Sequence, residues 1–360
     1  MAKKNVLFIV PYPVGMAPSQ RFRVEQFFPL LRENAISYDI CPFLDVNTWR
    51  LLYKNSSSIR KVWGILSGYV NRWLVFFRLH RYSLVFIHRE AAPLGPPLFE
   101  WLIAKVWRKK MIYDFDDAIW IPNTSAENKP MNALKSFWKV PLICKYATIV
   151  FGGNDFLCEF AKESGARRVL YLPTVVDTEG RYGKTKSKKR DSGITIGWTG
   201  SHSTLKYLNL IVPVLKRLET EYEFRFVVIA DKNPAIPLKN YMFIPWNVST
   251  EIEDLEKMDI GLMPLTNDKW SEGKCGFKLI QYMALGIASV ASPVGVNKII
   301  ITDGHDGFLC EDPDEWHTAL KELILNADLR RSICENGRKR IEQKYSIISQ
   351  KNVFIDALKS

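Results

Sequence analysis

Two stretches in the second half of the chain gather glycine, lysine and hydroxyl side chains where a helix should begin. The richer one is Trp270-Ser-Glu-Gly-Lys-Cys-Gly-Phe-Lys-Leu-Ile-Gln-Tyr-Met-Ala-Leu-Gly-Ile-Ala-Ser-Val-Ala-Ser-Pro-Val-Gly295. Apolar residues at Phe277, Ile280, Met283 and Ala284 predict a helix that starts near Gly276, stops at Gly286 and leads into a buried strand. Helix starts present backbone amides that attract anions, and Lys274 and Lys278 flank this one. Cys275 and Phe277 belong to the same turn, and Gln281 lies one to two turns inside, about the reach of a ribose. The second stretch is Ile196-Gly-Trp-Thr-Gly-Ser-His-Ser-Thr-Leu-Lys206. Gly200 allows a tight turn, Ser201 to Thr204 supply hydroxyls and a cap beside His202, and Lys206 falls on the first helical turns. The G-x-x-x-x-G-K-[ST] spacing of a P-loop is absent. Two anion-attracting helix starts in one half of a chain argue for a diphosphate ligand better than either does alone.

The first half carries three polar loops. In Pro11-Tyr-Pro-Val-Gly-Met-Ala-Pro-Ser-Gln-Arg-Phe-Arg23, Gly15 lets the backbone approach a ligand and Ser19 is placed to cap the following helix. Arg21 and Arg23 would enter that helix on its first turn, where they oppose its dipole; either an anion lies nearby or the loop is merely solvated. Arg89 and Glu90 follow a strand, where they could bind sugar hydroxyls or pair with each other. The third loop, Tyr113-Asp-Phe-Asp-Asp-Ala-Ile-Trp120, puts Asp114, Asp116 and Asp117 within four residues, and their mutual repulsion calls for a partner. Three readings fit: a D-x-D metal–diphosphate site, a helix cap, or a cluster facing an acceptor with Asp116 or Asp117 at the reacting centre. The last is preferred, because the phosphate signals lie in the other half.

These loops need a scaffold, and the chain supplies short apolar runs alternating with helical stretches, the pattern of an α/β protein with parallel sheets. Strands are expected at 6–10, 84–88, 110–114, 148–152 and 169–172. A second series follows at 194–198, 224–230, 241–244, 260–263 and 288–291. The polar, basic segment 181–190 reads as a linker, which divides the chain into an N-terminal domain over 1–180 and a C-terminal domain over 190–344. A helical region from Asp328 to about Leu358 closes the chain, with 345–360 crossing back onto the first domain. Ligands of open parallel sheets sit beyond the carboxyl ends of the strands, where all five polar loops fall.

The 360 residues are 47% hydrophobic and 24% charged, as expected of a soluble globular protein. Of the net charge of +12, most lies in the first 180 residues, with 24 basic against 15 acidic side chains. Neither zinc-finger spacing, a basic zipper nor an RNA-binding aromatic signature is present, so nucleic acid is the weakest partner for that charge; a phosphorylated substrate or an anionic membrane fits better. The six cysteines are scattered without a C-x-x-C pair, which suits a reducing compartment. The apolar run Asn5 to Val10 is too short for a signal peptide and reads as a buried strand, so a cytoplasmic location is expected. Residues Ser58 to Tyr82 predict a helix with an apolar stripe at Val62, Leu66, Val70, Trp73, Leu74 and Phe77, and with Lys61, Arg72 and Arg78 off it. Its charges exclude a membrane span. Such a helix either packs its stripe on the sheet or lies on the inner face of an anionic membrane.

With these motifs the sequence resembles the GT-B-fold family-4 retaining glycosyltransferases (glycosyl transferases group 1). The likeness runs through the Gly15 loop with Ser19-Gln-Arg21, Arg89-Glu90, Asp114-Phe-Asp-Asp117, Asn154 and Leu172-Pro-Thr-Val-Val-Asp177, in the family's order. It continues through Gly197-Trp-Thr-Gly-Ser201, the Trp270–Gly295 stretch and Gly304-His-Asp-Gly-Phe308. The resemblance implies two Rossmann-like domains facing a central cleft. A nucleotide-diphosphate sugar would be held by Gly15, Gly200, Ser201, His202, Lys274, Cys275, Gly276, Phe277 and Gln281. A glycan or lipid-linked acceptor would meet Ser19, Arg21, Arg89, Glu90 and Asp114. Asp116, Asp117, Lys206 and Lys278 would act in catalysis, with no metal and no cofactor required. Where the family has two glutamates separated by seven intervening residues, this chain has Gly273 and Gln281, with Glu272 one place early. A nucleotide-sugar epimerase or hydrolase, and a non-catalytic sugar-nucleotide binder, are the alternatives on the same fold.

Overall fold

The computed structural model describes residues 5–52, 58–122, 136–183 and 193–360, in two compact units. Unit 1 comprises residues 1–174 and 350–360; unit 2 comprises 175–349. In unit 1 six parallel strands, β1 (Asn5–Val10), β2 (Ser37–Pro42), β3 (Leu84–His88), β4 (Lys110–Phe115), β5 (Ile149–Gly152) and β6 (Val169–Tyr171), run in the order β2-β1-β3-β4-β5-β6. Unit 2 repeats the plan with β7 (Ile194–Thr199), β8 (Phe224–Ala230), β9 (Tyr241–Pro245), β10 (Ile260–Met263), β11 (Ala288–Ala291) and β12 (Phe308–Leu309), in the order β12-β11-β10-β7-β8-β9.

The strands at the middle of each sheet are buried on both faces, which is why they read as continuous apolar runs rather than alternating ones. Strand β2 departs from that pattern: Ser37-Tyr-Asp-Ile-Cys-Pro42 lies at a sheet edge, half-exposed, and its Asp39 and Pro42 hide it from a search for apolar runs. In both sheets the chain first steps outward, β1 to β2 and β7 to β8, and then crosses to the other side. The order therefore reverses between β1 and β3 and again between β7 and β10, and such reversals are where doubly wound sheets open a crevice for ligands.

The helical end of the chain is two helices, Ala327–Lys344 and Ile347–Lys359, broken at Tyr345 and Ser346, rather than one continuous run. Phe354 on the last helix stacks on Phe27 with ring centroids 4.2 Å apart, and lies 5.8 Å from Phe86 and 6.1 Å from Phe151 in the core of unit 1. Of the polar segment 181–190, only Arg181–Gly183 lies within the described residues, and Tyr182 is fully buried.

The helix Ser58–Phe76 is oriented against its apparent polarity. Its inner face is Gly64, Gly68 and Arg72. A Cβ added at Gly64 would stand 2.3 Å from Thr48, and one at Gly68 would stand 2.7 Å from Phe43. Arg72, 1% exposed, donates to the carbonyls of Val10 at 2.9 Å, Cys41 at 2.9 Å and Ala91 at 2.6 Å, tying together the ends of β1 and β2 and the loop after β3. The apolar stripe points to solvent.

Candidate active site

In unit 1 the chain reversal lies between β1 and β3, and the loop after β1 is pinned there by buried Gln20. Gln20 accepts from the Tyr12 amide at 3.0 Å and donates to the Tyr12 carbonyl at 2.9 Å and to Glu25 Oε1 at 2.6 Å. Glu25 in turn accepts from the Gly15 amide at 2.9 Å. Gly15 has φ +80° with open space around its Cβ position, so its backbone shape, not a close neighbour, requires glycine. The helix that follows is Pro18–Arg23 with Ala17 as its N-cap, so Ser19 lies inside the first turn and does not cap it. Its hydroxyl instead sits 2.9 Å from His88 Nε2.

His88 ends β3 and Asp114 lies near the end of β4, both fully buried, with His88 Nδ1 2.7 Å from Asp114 Oδ2. Arg23, 1% exposed, donates through Nε to the two Asp114 oxygens at 3.2 and 3.4 Å, and its terminal nitrogens reach Asp114 and the Leu172 carbonyl. The anion that the basic first helix called for is thus a side chain of the protein. Arg21 is also buried, with its guanidinium 5.0 Å from the Phe22 ring centroid.

Arg89 is one of few non-glycine residues with positive φ, at +61°, held by its amide donating to the Asp114 carbonyl and by the Tyr113 hydroxyl donating to its own carbonyl, each at 2.7 Å. That left-handed turn turns the guanidinium onto Asp116, at 2.9 and 2.8 Å, and Asp117, at 2.7 Å. Backbone strain of this kind collects at functional sites. Burial works against the Asp116 charge, yet Arg89 foremost, then His88, Arg23 and the Ser19 hydroxyl, hold its carboxyl well below the usual range. Glu90 pairs with buried Lys139 at 2.7 Å rather than with Arg89. All three aspartates therefore rest on cationic side chains. Among the described residues no group of three or more metal-ligating side chains is assembled.

In unit 2 the reversal lies between β7 and β10, and the two lysine-rich turns leave those neighbouring strands. After β7, a Cβ at Gly200 would stand 2.3 Å from the Trp198 ring, Ser201 N donates to Thr204 Oγ1 at 3.1 Å, and residues His202–Tyr207 form a 3-10 turn before the helix Leu208–Leu218. His202 is engaged with Asp231, its amide at 2.6 Å and its Nδ1 at 2.7 Å from the carboxylate. Lys206 is exposed, with Nζ 5.2 Å from the Tyr207 ring centroid. After β10, Gly276 takes φ +66° and starts the helix Phe277–Ala284. The positive φ strains any other residue there, and a Cβ would also stand 2.1 Å from the terminal methyl of Ile300. Cys275 beside it is buried, and Lys274 Nζ lies 5.3 Å from the Trp270 ring centroid.

Trp198 joins the two turns. Its ring lies under Gly200, and Lys278 Nζ is 5.5 Å from the ring centroid, so both turns meet over one buried indole. Tyr282 fixes the same strand end by accepting from the Thr199 amide at 3.0 Å. Gln281 is 3% exposed and donates to the Tyr182 hydroxyl at 2.6 Å.

The structure thus gathers Ser19, Arg89, Asp114, Asp116 and Asp117 in unit 1, and Gly200, Lys278 and the Gly276 helix start in unit 2. Reading the sequence passed over His88, Trp198, Lys139 and Tyr182. His88 had a signal, a histidine closing a buried strand; Tyr182 had none, because it sits in a stretch that is otherwise polar.

With this geometry the chain is similar to several solved structures. A glycosyltransferase from Rickettsia africae is 16% identical over 100% of both chains, with a TM-score of 0.71. Anabaena HepE, solved in complex with UDP-glucose, is 13% identical over 99% of both chains, TM-score 0.68. Sucrose-phosphate synthase from Thermosynechococcus elongatus is 11% identical over 99% of both chains, TM-score 0.71. At such identities the likeness is one of fold, and that fold is GT-B. No curated protein matches the sequence. Residues 193–326, most of unit 2 and both of its lysine-rich turns, match the family described as glycosyl transferases group 1.

Proposed function

We propose that the protein transfers a sugar, with retention at the anomeric carbon, from a nucleotide-diphosphate sugar to a glycan or lipid-linked acceptor in surface polysaccharide assembly. The observation that carries this reading is the meeting of the Gly200 and Gly276 turns over Trp198, within the segment that matches glycosyl transferases group 1. The complexes of Anabaena HepE with UDP and with UDP-glucose support the donor class. In this reading the amides of the Gly276 helix start, with Ser201, Lys274 and Lys278, receive the diphosphate, and Gln281 holds Tyr182 beside them. Lys278 and Lys206 offset the negative charge that grows on the leaving diphosphate, while Asp116 and Asp117, ordered by Arg89, face the acceptor.

The protein, incubated with UDP-glucose, UDP-N-acetylglucosamine, GDP-mannose or dTDP-rhamnose and an octyl glycoside acceptor, should release nucleoside diphosphate and give a product with the donor's anomeric configuration by NMR. Conversion of the donor without any acceptor, into an isomer or a free sugar, would point instead to an epimerase or hydrolase.

The same reading places the protein at the inner face of an anionic membrane, and the orientation of the helix Ser58–Phe76 supports it. If the stripe had packed on the sheet, it would be buried. Instead Trp63 is 69%, Val70 58% and Phe77 66% exposed, and Ile59, Val62, Leu66, Trp73 and Leu74 are exposed with them. The segment 98–107 adjoins the helix through Trp73–Phe99 and Phe76–Trp107 ring contacts and adds exposed Leu98, Trp101 and Val106. Arg60 and Lys105 are exposed on these two elements, and Arg78, Arg81 and Arg108 are exposed just beyond their ends. Apolar side chains bordered by cations fit an anionic bilayer surface. Among the described residues no helix is long and apolar enough to cross a membrane. The protein should sediment with phosphatidylglycerol vesicles at low salt. Trp63→Glu combined with Leu66→Glu should weaken this at least tenfold, since each buried side chain contributes about 1.5–3 kcal/mol. A wild-type protein that stays in solution would rule this contact out.

A further inference from the structure

Within unit 1, the exposed stripe of the helix Ser58–Phe76 and the aspartate loops stand at the same end of the sheet. Arg72 marks the carboxyl edge, because it donates to the carbonyls of Val10, the last residue of β1, and Cys41, near the end of β2. Gly68 lies against Phe43 and Gly64 against Thr48, and both of those residues follow β2. Thr48 belongs to the short helix Val46–Leu52, whose Trp49 ring meets Tyr12 just past β1, with centroids 4.9 Å apart. Residues 58–71, about 20 Å of helix, therefore lie among the loops beyond the strand ends. The loop after β3 joins this helix to the carboxylates. It opens with Arg89, which holds Asp116 and Asp117. Ala91 follows, its carbonyl bound by Arg72 at 2.6 Å and its amide by buried Glu100 at 2.9 Å. Lys139 donates to the Ala92 carbonyl at 2.7 Å, and the Tyr69 hydroxyl to the Leu94 carbonyl at 2.6 Å. The chain then reaches exposed Leu98 and Trp101, and Trp138, next to Lys139 in sequence, is exposed as well. Arg89 is at most about 7 Å from Ala91 along the chain. The stripe lies one helix diameter, about 10–12 Å, beyond the inner face that Arg72 occupies.

Resting on the transfer reading and its membrane contact, we propose that the acceptor is a glycolipid of the anionic bilayer that the helix Ser58–Phe76 sits on, and not a water-soluble glycan. The lipid tail stays in the bilayer beside Trp63, Leu66 and Val70, while the sugar head rises along the 91–98 loop to Arg89, Asp116 and Asp117. A glycan arriving from water has no use for an apolar border beside these loops; a sugar anchored in lipid is brought to them by it. The cations around the stripe, Arg60, Arg78, Arg81, Lys105 and Arg108, match the anionic lipids among which such an acceptor lies. Tyr69, Arg72 and Lys139 are positioning residues, which hold the connecting loop against the helix and do not touch the acceptor. The chemical balance is that of the proposed transfer. A head-group hydroxyl oxygen forms the bond to the anomeric carbon and its proton is released, while the bond from that carbon to the diphosphate breaks and nucleoside diphosphate leaves.

The test measures nucleoside diphosphate release by the full chain from the four donors named above, with glucose and N-acetylglucosamine each presented in two forms. One form is the methyl glycoside in water, mixed with empty phosphatidylglycerol vesicles; the other is the same sugar carried on dioleoylglycerol within those vesicles. Holding enzyme and acceptor on one surface raises their effective concentration, so kcat/KM should be about 10²-fold higher for the vesicle-borne form. Trp63→Glu combined with Leu66→Glu should lower the vesicle-borne rate by at least about tenfold, while its melting temperature and the thermal shift produced by nucleoside diphosphate stay those of wild type. A methyl glycoside used within about threefold as well as the vesicle-borne sugar overturns the glycolipid acceptor and leaves the transfer reading intact. So does a double variant that keeps the full rate on vesicles, or transfer to the octyl glycoside with none to the vesicle-borne form. If the wild type transfers to no form of either sugar, octyl glycosides included, the transfer reading itself fails and takes this inference with it.

Discussion

Lys278→Ala is expected to lower turnover about a hundredfold or more without unfolding the protein. A positively charged or amide donor aimed at developing negative charge is worth roughly 2.7–4 kcal/mol of barrier, and Lys278 stands at the start of the Phe277–Ala284 helix, where amide dipoles already favour an anion. Its ammonium lies over Trp198, the side chain that also supports the Gly200 turn, so the cation is positioned by the fold rather than left to sample solvent. The side chain is only half-buried, and shortening it opens no cavity in the core. Steady-state kinetics with a donor from the panel, beside a thermal melt of each protein, check the prediction. A variant that melts normally and keeps full kcat would remove Lys278 from the phosphate site.

Asp114→Ala is expected to cost more stability than substitution of either of the neighbouring aspartates, about 3–5 kcal/mol. Removing one partner of a buried ion pair leaves the other charge without compensation. Here the group left behind is Arg23, 1% exposed, which would keep its hydrogen bond to the Leu172 carbonyl but lose its carboxylate. His88 loses its Nδ1 acceptor at the same time. Asp117→Ala makes the contrast: its side chain is 29% exposed and shares Arg89 with Asp116, so its loss should cost about 1 kcal/mol or less. Urea denaturation of the two variants beside wild type reads the difference. Equal midpoints would mean that Asp114 and Arg23 are not buried together.

The contrast between these two aspartates shows what could and could not be read from residues alone. The D-F-D-D spacing called for cationic partners, and the partners exist, but they come from 91 residues away for Asp114 and from the end of the preceding strand for Asp116 and Asp117. Periodicity reports which residues are buried, not which buried residues meet. The two central sheets were legible because parallel strands covered on both faces are apolar throughout. The position of the reversal in unit 1 was not, since it depends on edge strand β2, whose polar residues carry no such signal. The amphipathic helix shows the same limit from the other side. Its stripe and charges were plain in the sequence, but hydrophobicity alone leaves the direction of the stripe open; it was decided by Gly64 and Gly68, which let the helix approach Thr48 and Phe43 closely, and by Arg72, which had strand-end carbonyls to satisfy. In unit 2 the glycines were more informative, because Gly200 and Gly276 each occupy a place that a side chain would block.

The measurement that bears most directly on the central claim, a diphosphate held where the Gly200 and Gly276 turns meet, is thermal stabilisation of the full chain by nucleotides. At a concentration 100 times its dissociation constant, a ligand that binds only the folded state adds about 2.7 kcal/mol of stability. The account predicts that one of UDP, GDP or dTDP raises the melting temperature, that the matching monophosphate does so much less, and that Lys278→Ala loses most of the shift. No shift with any of the three diphosphates, or an undiminished shift in Lys278→Ala, would contradict it.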